Sequence, residues 1–413
     1  MPDGPGHAKK LPVIGTALLI AGAAVGAGIL GLPIQTGLAG FGPALVGQLA
    51  MAGALLATAW VLAEALIRRR GRERDLAWLY QQELGRGGRW MLIIGYLVNL
   101  YGIMVAYLAG AATVLGSLLG RPEWQGTLLL AFFVPATALV LFGLPVVRRG
   151  NALLIVLLVG SLLYLLWHAA GGVQVSHLSY RDWSFFPATL PIIMCTLAFH
   201  NMVPLICRSL DMQPAPVRRA LGIGVAITLV VALVLTLMVV AVLPLQGSSS
   251  SLLAAYQDDL PATIPLARHL GSPSILAAGL LFAICAILTS YITLSSALLN
   301  FWTDILPPAV ANRWYRAGIT FLPPLVVVYV YPDLFLKALD VAGGLGIAVI
   351  YGVGPAVMLL RRRGGAGWVR MAGVALLVVF GVVVLLELAQ ELGWLAIRPE
   401  VEHWTSYQHL PAR

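Results

Sequence analysis

Residues 20–33 read Ile20-Ala21-Gly22-Ala23-Ala24-Val25-Gly26-Ala27-Gly28-Ile29-Leu30-Gly31-Leu32-Pro33. The stretch is apolar enough for a bilayer interior, yet four glycines and a proline interrupt it. A helix that loses its hydrogen-bond ladder inside lipid exposes N–H and C=O groups. These are tolerated only where protein, water or a ligand satisfies them. A second interrupted stretch lies far downstream, Thr196-Leu197-Ala198-Phe199-His200-Asn201-Met202-Val203-Pro204. Two broken apolar segments in matching places are candidate binding sites of a transporter.

Working outward, 60% of the 413 residues are apolar and 10% are charged, with a mean hydropathy of +0.90. That balance excludes a soluble domain and indicates an integral membrane protein. A crossing helix needs about 20 apolar residues. The sequence predicts eleven all-α spans near residues 12–35, 41–67, 90–119, 126–146, 151–170, 184–207, 220–244, 273–302, 315–331, 334–360 and 368–392. The first span is too long, and too soon followed by a second, for a cleaved signal peptide. Cys195, Cys207 and Cys285 fall inside spans and read as small apolar residues. No soluble domain fits anywhere, and the segment from Gly247 to Pro273 reads as a loop or short surface helices.

The net charge of +9 does not indicate nucleic acid, because of where the charge lies. With the N-terminus in the cytoplasm, 20 of the 26 basic residues fall on the inner side, as the positive-inside rule requires. The expected setting is multi-pass, against membrane lipid, in the cytoplasmic membrane of a prokaryote. Eleven spans put the C-terminus outside.

Pro33 closes the first break and Pro204 the second, which suggests a five-helix repeat. The chain then forms one transporter domain over 1–413, with repeat one at about 12–170, repeat two at about 184–360 and an extra helix at about 368–392. Five is odd, so the second repeat starts from the opposite side and the repeats are inverted, the topology of alternating-access carriers.

Several polar or glycine-rich positions fall within the predicted spans. Gly22, Gly26, Gly28 and Gly31 free the backbone to leave helical geometry, although Gly22 and Gly26 also have the spacing of a helix-packing surface. Phe199, His200 and Asn201 place an aromatic ring, an ionisable ring and an amide at the second break, and ionisable residues there are costly and usually functional. In the eighth span, Thr289 and Ser290 offer adjacent hydroxyls, with backbone bonding within their own helix as the plain alternative. Asn99, Tyr101 and Tyr107 lie in the third span, where Tyr101 is mid-span and can close over a substrate. His200, Asp340 and Glu64 are proton-coupling candidates; Glu64 can equally snorkel to the cytoplasmic surface, and Asp340 and the deeper Glu387 can equally be structural partners. No nucleotide-binding loop or paired Cys/His metal spacing occurs, and nothing suggests an enzyme.

At these residues the chain resembles the hydroxy/aromatic amino acid permeases, including tryptophan, tyrosine and serine permeases, of the amino acid/polyamine/organocation superfamily. The matching pieces run from Ala24 to Pro33 and from Phe199 to Pro204, then Thr289-Ser290-Tyr291, Asp304, Gly343-Gly344 and Pro355-Ala356. The resemblance implies a LeuT-type fold of 5+5 inverted helices plus one, with the first and sixth helices unwound. It implies that amides at Val25, Gly26, Ala27 and Gly28 hold a substrate carboxylate, with Tyr101, Phe199, His200 and Asn201 around the substrate. In sodium-coupled members of the fold a cation lies at positions matching Gly22, Val25, Ala286, Thr289 and Ser290. The lysine that replaces it in some proton-coupled relatives is absent from the fifth span. The expected function is therefore secondary active import of an aromatic or other neutral amino acid by sodium or proton symport, with no cofactor beyond a possible sodium ion. A non-transporting amino acid sensor of the same fold is the alternative, and the oligomeric state is left open.

Overall fold

The computed structural model describes residues 12–24, 26, 28–69, 75–142, 145–307, 312–362 and 367–408, and among them all regular structure is helical. In chain order the helices are α1 (Val13–Ala24), α2 (Gly28–Ala39), α3 (Phe41–Arg68), α4 (Leu76–Leu119), α5 (Gln125–Phe142), α6 (Pro145–Ala169), α7 (Leu190–Leu197), α8 (Val203–Ser209) and α9 (Pro214–Val242). There follow α10 (Leu252–Gln257), α11 (Thr263–Leu270), α12 (Pro273–Ile305), α13 (Arg313–Val330), α14 (Phe335–Val341), a π-helical stretch (Ala342–Val353), α15 (Gly354–Leu360), α16 (Gly367–Glu391) and α17 (Glu400–Gln408). Nine segments of the described residues are long and apolar enough to cross a membrane. Helices α1 and α2 are shorter apolar pieces.

Local sequence sets the helix ends. Asp75 and Asn312 accept the N–H groups of Trp78 at 2.8 Å and Tyr315 at 2.7 Å, satisfying first-turn donors that the helix itself cannot. Inside α4, Gly85 takes φ 77°, a left-handed value that glycine adopts without strain. The joint separates residues 76–84 from the predicted third span. Tyr80 of that short stretch donates its hydroxyl to the Ile350 carbonyl, and Glu83 Oε1 receives Arg68 and Arg69 at 2.9 Å each.

Two packed groups result. Helices α1 and α2 pack on α9, and α3 packs on α7, α8 and α9, so each interrupted helix lies against the continuous partner of the other. Gln48 of α3 donates to Thr236 of α9 at 3.1 Å inside this group. Helix α4 is the centre of the second group, touching α5, α12, α13, α14 and the π stretch, while α16 packs on the π stretch and α15. The π stretch crosses α7 so closely that a methyl group at Gly343 would lie 2.0 Å from the Pro191 carbonyl oxygen. Only glycine permits that approach.

The two ends of the molecule differ in chemistry. One end carries most of the arginines and a Glu64–Arg362 pair at 2.9 Å linking α3 to the end of α15. At the other end, α10 and α11 form a lid. The segment expected as a loop or surface helices is instead half core, with Leu252, Leu253, Ile264 and Leu266 buried. The lid is fastened by Ala262 N–H to the Leu30 carbonyl at 2.8 Å and by Asp259, which accepts the N–H groups of Phe335 and, at 2.8 Å, Leu336. Beside it Asp182 accepts N–H groups of Ser184, Phe185 and Glu400, tying α17 to the same end. Burial pushes that carboxyl up, but these bonds and the Ser184 hydroxyl together hold it below its ordinary value.

Candidate functional site

At both interrupted stretches the described residues show one helix ending and another beginning. Helix α1 ends at Ala24, Gly26 is a bend, and α2 begins at Gly28, with Ile29 N–H bonded to the Gly26 carbonyl at 3.2 Å. Helix α7 ends at Leu197, Ala198 is extended (φ −77°, ψ 131°), one turn of 3₁₀ helix follows over His200–Met202, and α8 starts at Val203. The start of α2 therefore meets the end of α7, and a methyl group at Gly28 would stand 3.1 Å from Thr196 Oγ1. A helix N-terminus presents free donors and positive potential, and a C-terminus presents free acceptors and negative potential. Juxtaposed, they can receive the carboxylate and ammonium groups of one amino acid.

A central cavity of about 70 Å³ lies at this junction. Its walls are Gly26 and Gly28, the Asn99–Ile103–Tyr107 face of α4, Cys195, Ala198 and Asn201 at the second break, Leu294 of α12, and Ile347 and Tyr351 of the π stretch. A methyl group at Gly26 would lie 2.9 Å from both Ser290 Oγ and Tyr107 Oη. A second cavity of about 210 Å³ shares Tyr96 and Asn201 with the first and extends past Asn300 to Asp75 and Arg208. The second cavity thus leads from the first toward Asp75 and Arg208 at the arginine-rich end.

The expected site residues take up different places in the structure. Gly26, Gly28 and Asn201 line the cavity, whereas Val25 and Ala27 lie outside the described residues. Tyr101 is not among the lining residues: its hydroxyl donates to the Ile319 carbonyl of α13 and accepts Trp302 Nε1–H at 3.3 Å. Asn99, Ile103 and Tyr107 recur every four residues and share one helix face; Tyr101 belongs to another. Phe199 and His200 are almost wholly buried beside the cavity. The imidazole is stacked between Phe199 at 5.1 Å and Tyr351 at 4.7 Å, with Nε2 2.9 Å from Thr58 Oγ1. The Thr58 hydroxyl also lies 3.0 Å from Leu55 O, so ring nitrogen, hydroxyl and carbonyl form one buried chain. His200 braces Tyr351 and does not itself line the chamber.

Of the five residues expected around a cation, Val25 lies outside the described residues, a methyl group added at Gly22 would meet nothing within 4 Å, and Ala286 is buried. Thr289 bonds its hydroxyl to Cys285 O at 2.8 Å, the in-helix alternative. Ser290 Oγ stands against the first break, 2.9 Å from where a side chain at Gly26 would begin. Of the proton candidates, Glu64 is the exposed partner of Arg362, a pair worth about 1 kcal/mol or less. Asp340 is tied to Gln35 of α2. Tyr96, Leu294, Ile347 and Tyr351 had not been anticipated.

The model of the tryptophan/tyrosine permease family matches residues 9–390. A tyrosine-specific transport system of Haemophilus influenzae is 26% identical, the alignment covering 80% of this chain and 83% of the relative. A tryptophan-specific transport protein of Pseudomonas aeruginosa is 24% identical, covering 91% and 93%. The crystal structure of MhsT in complex with L-phenylalanine superimposes with a TM-score of 0.56 at 14% identity, covering 93% of this chain and 99% of that one. The shared fold is the LeuT-type helical fold of membrane transporters.

Proposed function

The chain belongs to the tryptophan/tyrosine permease family, and from that premise we propose that it is a secondary active importer of an aromatic amino acid. The observation that carries the reading is the meeting of the α2 start with the α7 end at a cavity walled by Tyr107, Ile347 and Tyr351. The substrate carboxylate lies at the N–H groups beginning α2, with the Tyr107 hydroxyl beside Gly26 as a further donor. The ammonium lies at the carbonyls ending α7. The ring occupies the side toward Ile103, Ile347 and Tyr351.

Counting the α1–α2 pair, α7–α8 and α14–α15 as single crossings, and adding α13, gives eleven spans, with the arginine-rich end in the cytoplasm. The C-terminal α17 is then outside, and lipid covers apolar side chains such as Val156, Val378 and Leu385, each more than half exposed. The reciprocal packing of α1–α2 on α9 and α3 on α7–α8 supports an inverted repeat over 12–170 and 184–360. The closed lid and open inner cavity correspond to an inward-facing state, from which the group containing α1, α2, α3 and α7–α9 rocks against the α4-centred group. A cation gradient biases these states only as far as the ion binds one of them better.

Uptake of radiolabelled tryptophan, tyrosine and phenylalanine into proteoliposomes, under separate sodium and proton gradients, tests the reading. Concentrative uptake of at least one is expected. Binding with neither uptake nor exchange would instead favour a sensor.

A further inference from the structure

Two carboxylates stand apart from the paired charges of the molecule. Asp340 of α14 accepts a hydrogen bond from Gln35 Nε2 of α2. Gln35 is only 3% exposed, and its Oε1 and the Asp340 Oδ1 are buried with no partner. Glu387 of α16 is 4% exposed and packs on the next turn, its Cδ 3.1 Å from where a side chain at Gly344 would begin. Among the described residues no cationic side chain pairs with either acid; Lys337 of α14 points to solvent and pairs with Glu391 at 3.3 Å. The other ionisable groups that act on Asp340 are Asp259 and Tyr256 of the lid region, Cys195 of α7 and Glu391 of α16, while Lys337 acts on Glu387. Lys337 is the one positive charge among these, and its ion pair is with Glu391.

Neighbouring carboxylates that are withdrawn from water and lack a counter-cation cannot both be ionised. A proton is the ligand that neutralises them. Its position is informative, because Gln35 belongs to the group that includes α2 and α9, whereas Asp340 and Glu387 belong to α14 and α16. The contact closes the lid end and must break when that end opens.

We propose that Asp340, coupled to Glu387, is the carrier of the transported proton, an inference that rests on the importer reading above. With the lid end open, an Asp340 oxygen takes a proton from external water, one O–H bond forming as one in hydronium breaks. The neutral acid can be dehydrated beneath Gln35 and the lid, so protonation favours closure. From the closed state the proton leaves toward the central cavity, whose Cys195 has its Cβ 3.3 Å from where a side chain at Gly343 would begin. The carboxylate so regenerated favours reopening outward. Substrate and proton then drive the same transition.

The test uses the full-length protein in sodium-free proteoliposomes, with the aromatic amino acid found to exchange across wild-type vesicles. An inward gradient of one pH unit supports about tenfold accumulation at one proton per substrate, since a pH unit and a tenfold ratio are equal free energies. Wild type is expected to reach that ratio, and external substrate to acidify a pH dye trapped in the lumen. Asp340→Asn preserves a hydrogen-bonding partner for Gln35 but cannot titrate; it should lose accumulation and acidification while retaining exchange. Glu387→Gln, an independent check should Asp340→Asn not fold, removes the like charge and should move the pH dependence of uptake about one unit lower.

Accumulation by Asp340→Asn, an unmoved profile in Glu387→Gln, or wild-type accumulation driven by sodium alone would overturn the proton site. Absence of both exchange and uptake in wild type would instead sink the importer reading.

Discussion

Tyr101 and Tyr107 are six positions apart in α4, which turns their side chains roughly 120° from one another. Tyr107 reaches the central cavity, while Tyr101 is bonded to Ile319 O and Trp302. Removing each hydroxyl should therefore have separate consequences. Tyr107→Phe is expected to raise KM about tenfold, the scale of one hydrogen bond of about 1.5 kcal/mol to a charged group. Tyr101→Phe should leave KM within about twofold and lower the melting temperature, because it strips a partner from Ile319. Transport kinetics and a thermal melt on both variants check this; equal KM effects would misplace the site. The cavity-lining face of α4 was legible in the sequence, since Asn99, Ile103 and Tyr107 form a four-residue series. Mid-span depth does not pick out that face, because facing, not depth, decides what a helix residue touches.

The interrupted helices were legible as elements, through glycines and prolines that break an apolar run. The π stretch was not, since its wider turn abolishes the 3.6-residue period by which Ile347 and Tyr351 would have been assigned to a face. Long-range partners such as Gln35 with Asp340 and Asp259 with the α14 start leave no local signal at all. The lid gives the prediction proper to this scale. Burial pushes the Asp259 carboxyl up to about 6, against the opposing effect of the Leu336 and Phe335 N–H groups, with Asp333 adding a like charge. An undocked lid returns it to about 3.9. Docking therefore takes up a proton: its stabilisation is complete below about pH 4, declines as pH rises to about 6, and is flat above. Hydrogen exchange of residues 252–270, corrected for intrinsic rate, should show protection falling across that window. Asp259→Asn should flatten the profile, and a wild-type profile already flat would contradict the docking geometry.

Across the whole molecule, the two groups of helices meet at the glycine break, the second break and the Gln35–Asp340 contact. One end is sealed by the lid, and the other opens through Tyr96 and Asn201 toward Asp75 and Arg208. The membrane class and the resemblance to aromatic amino acid permeases followed from the apolar spans and short motifs. On the proposed function, the junction of α2 and α7 holds an aromatic amino acid that the protein carries across the membrane. Counterflow tests it most directly: vesicles loaded with unlabelled tryptophan or tyrosine, diluted into a trace of the labelled compound, with no ion gradient. Wild type should show a transient overshoot of label, and Gly26→Val, correctly folded by thermal melt, should show none, since its side chain would displace Ser290 and Tyr107. An overshoot undiminished in folded Gly26→Val would contradict the site, and its absence in wild type for every aromatic amino acid would contradict the claim itself.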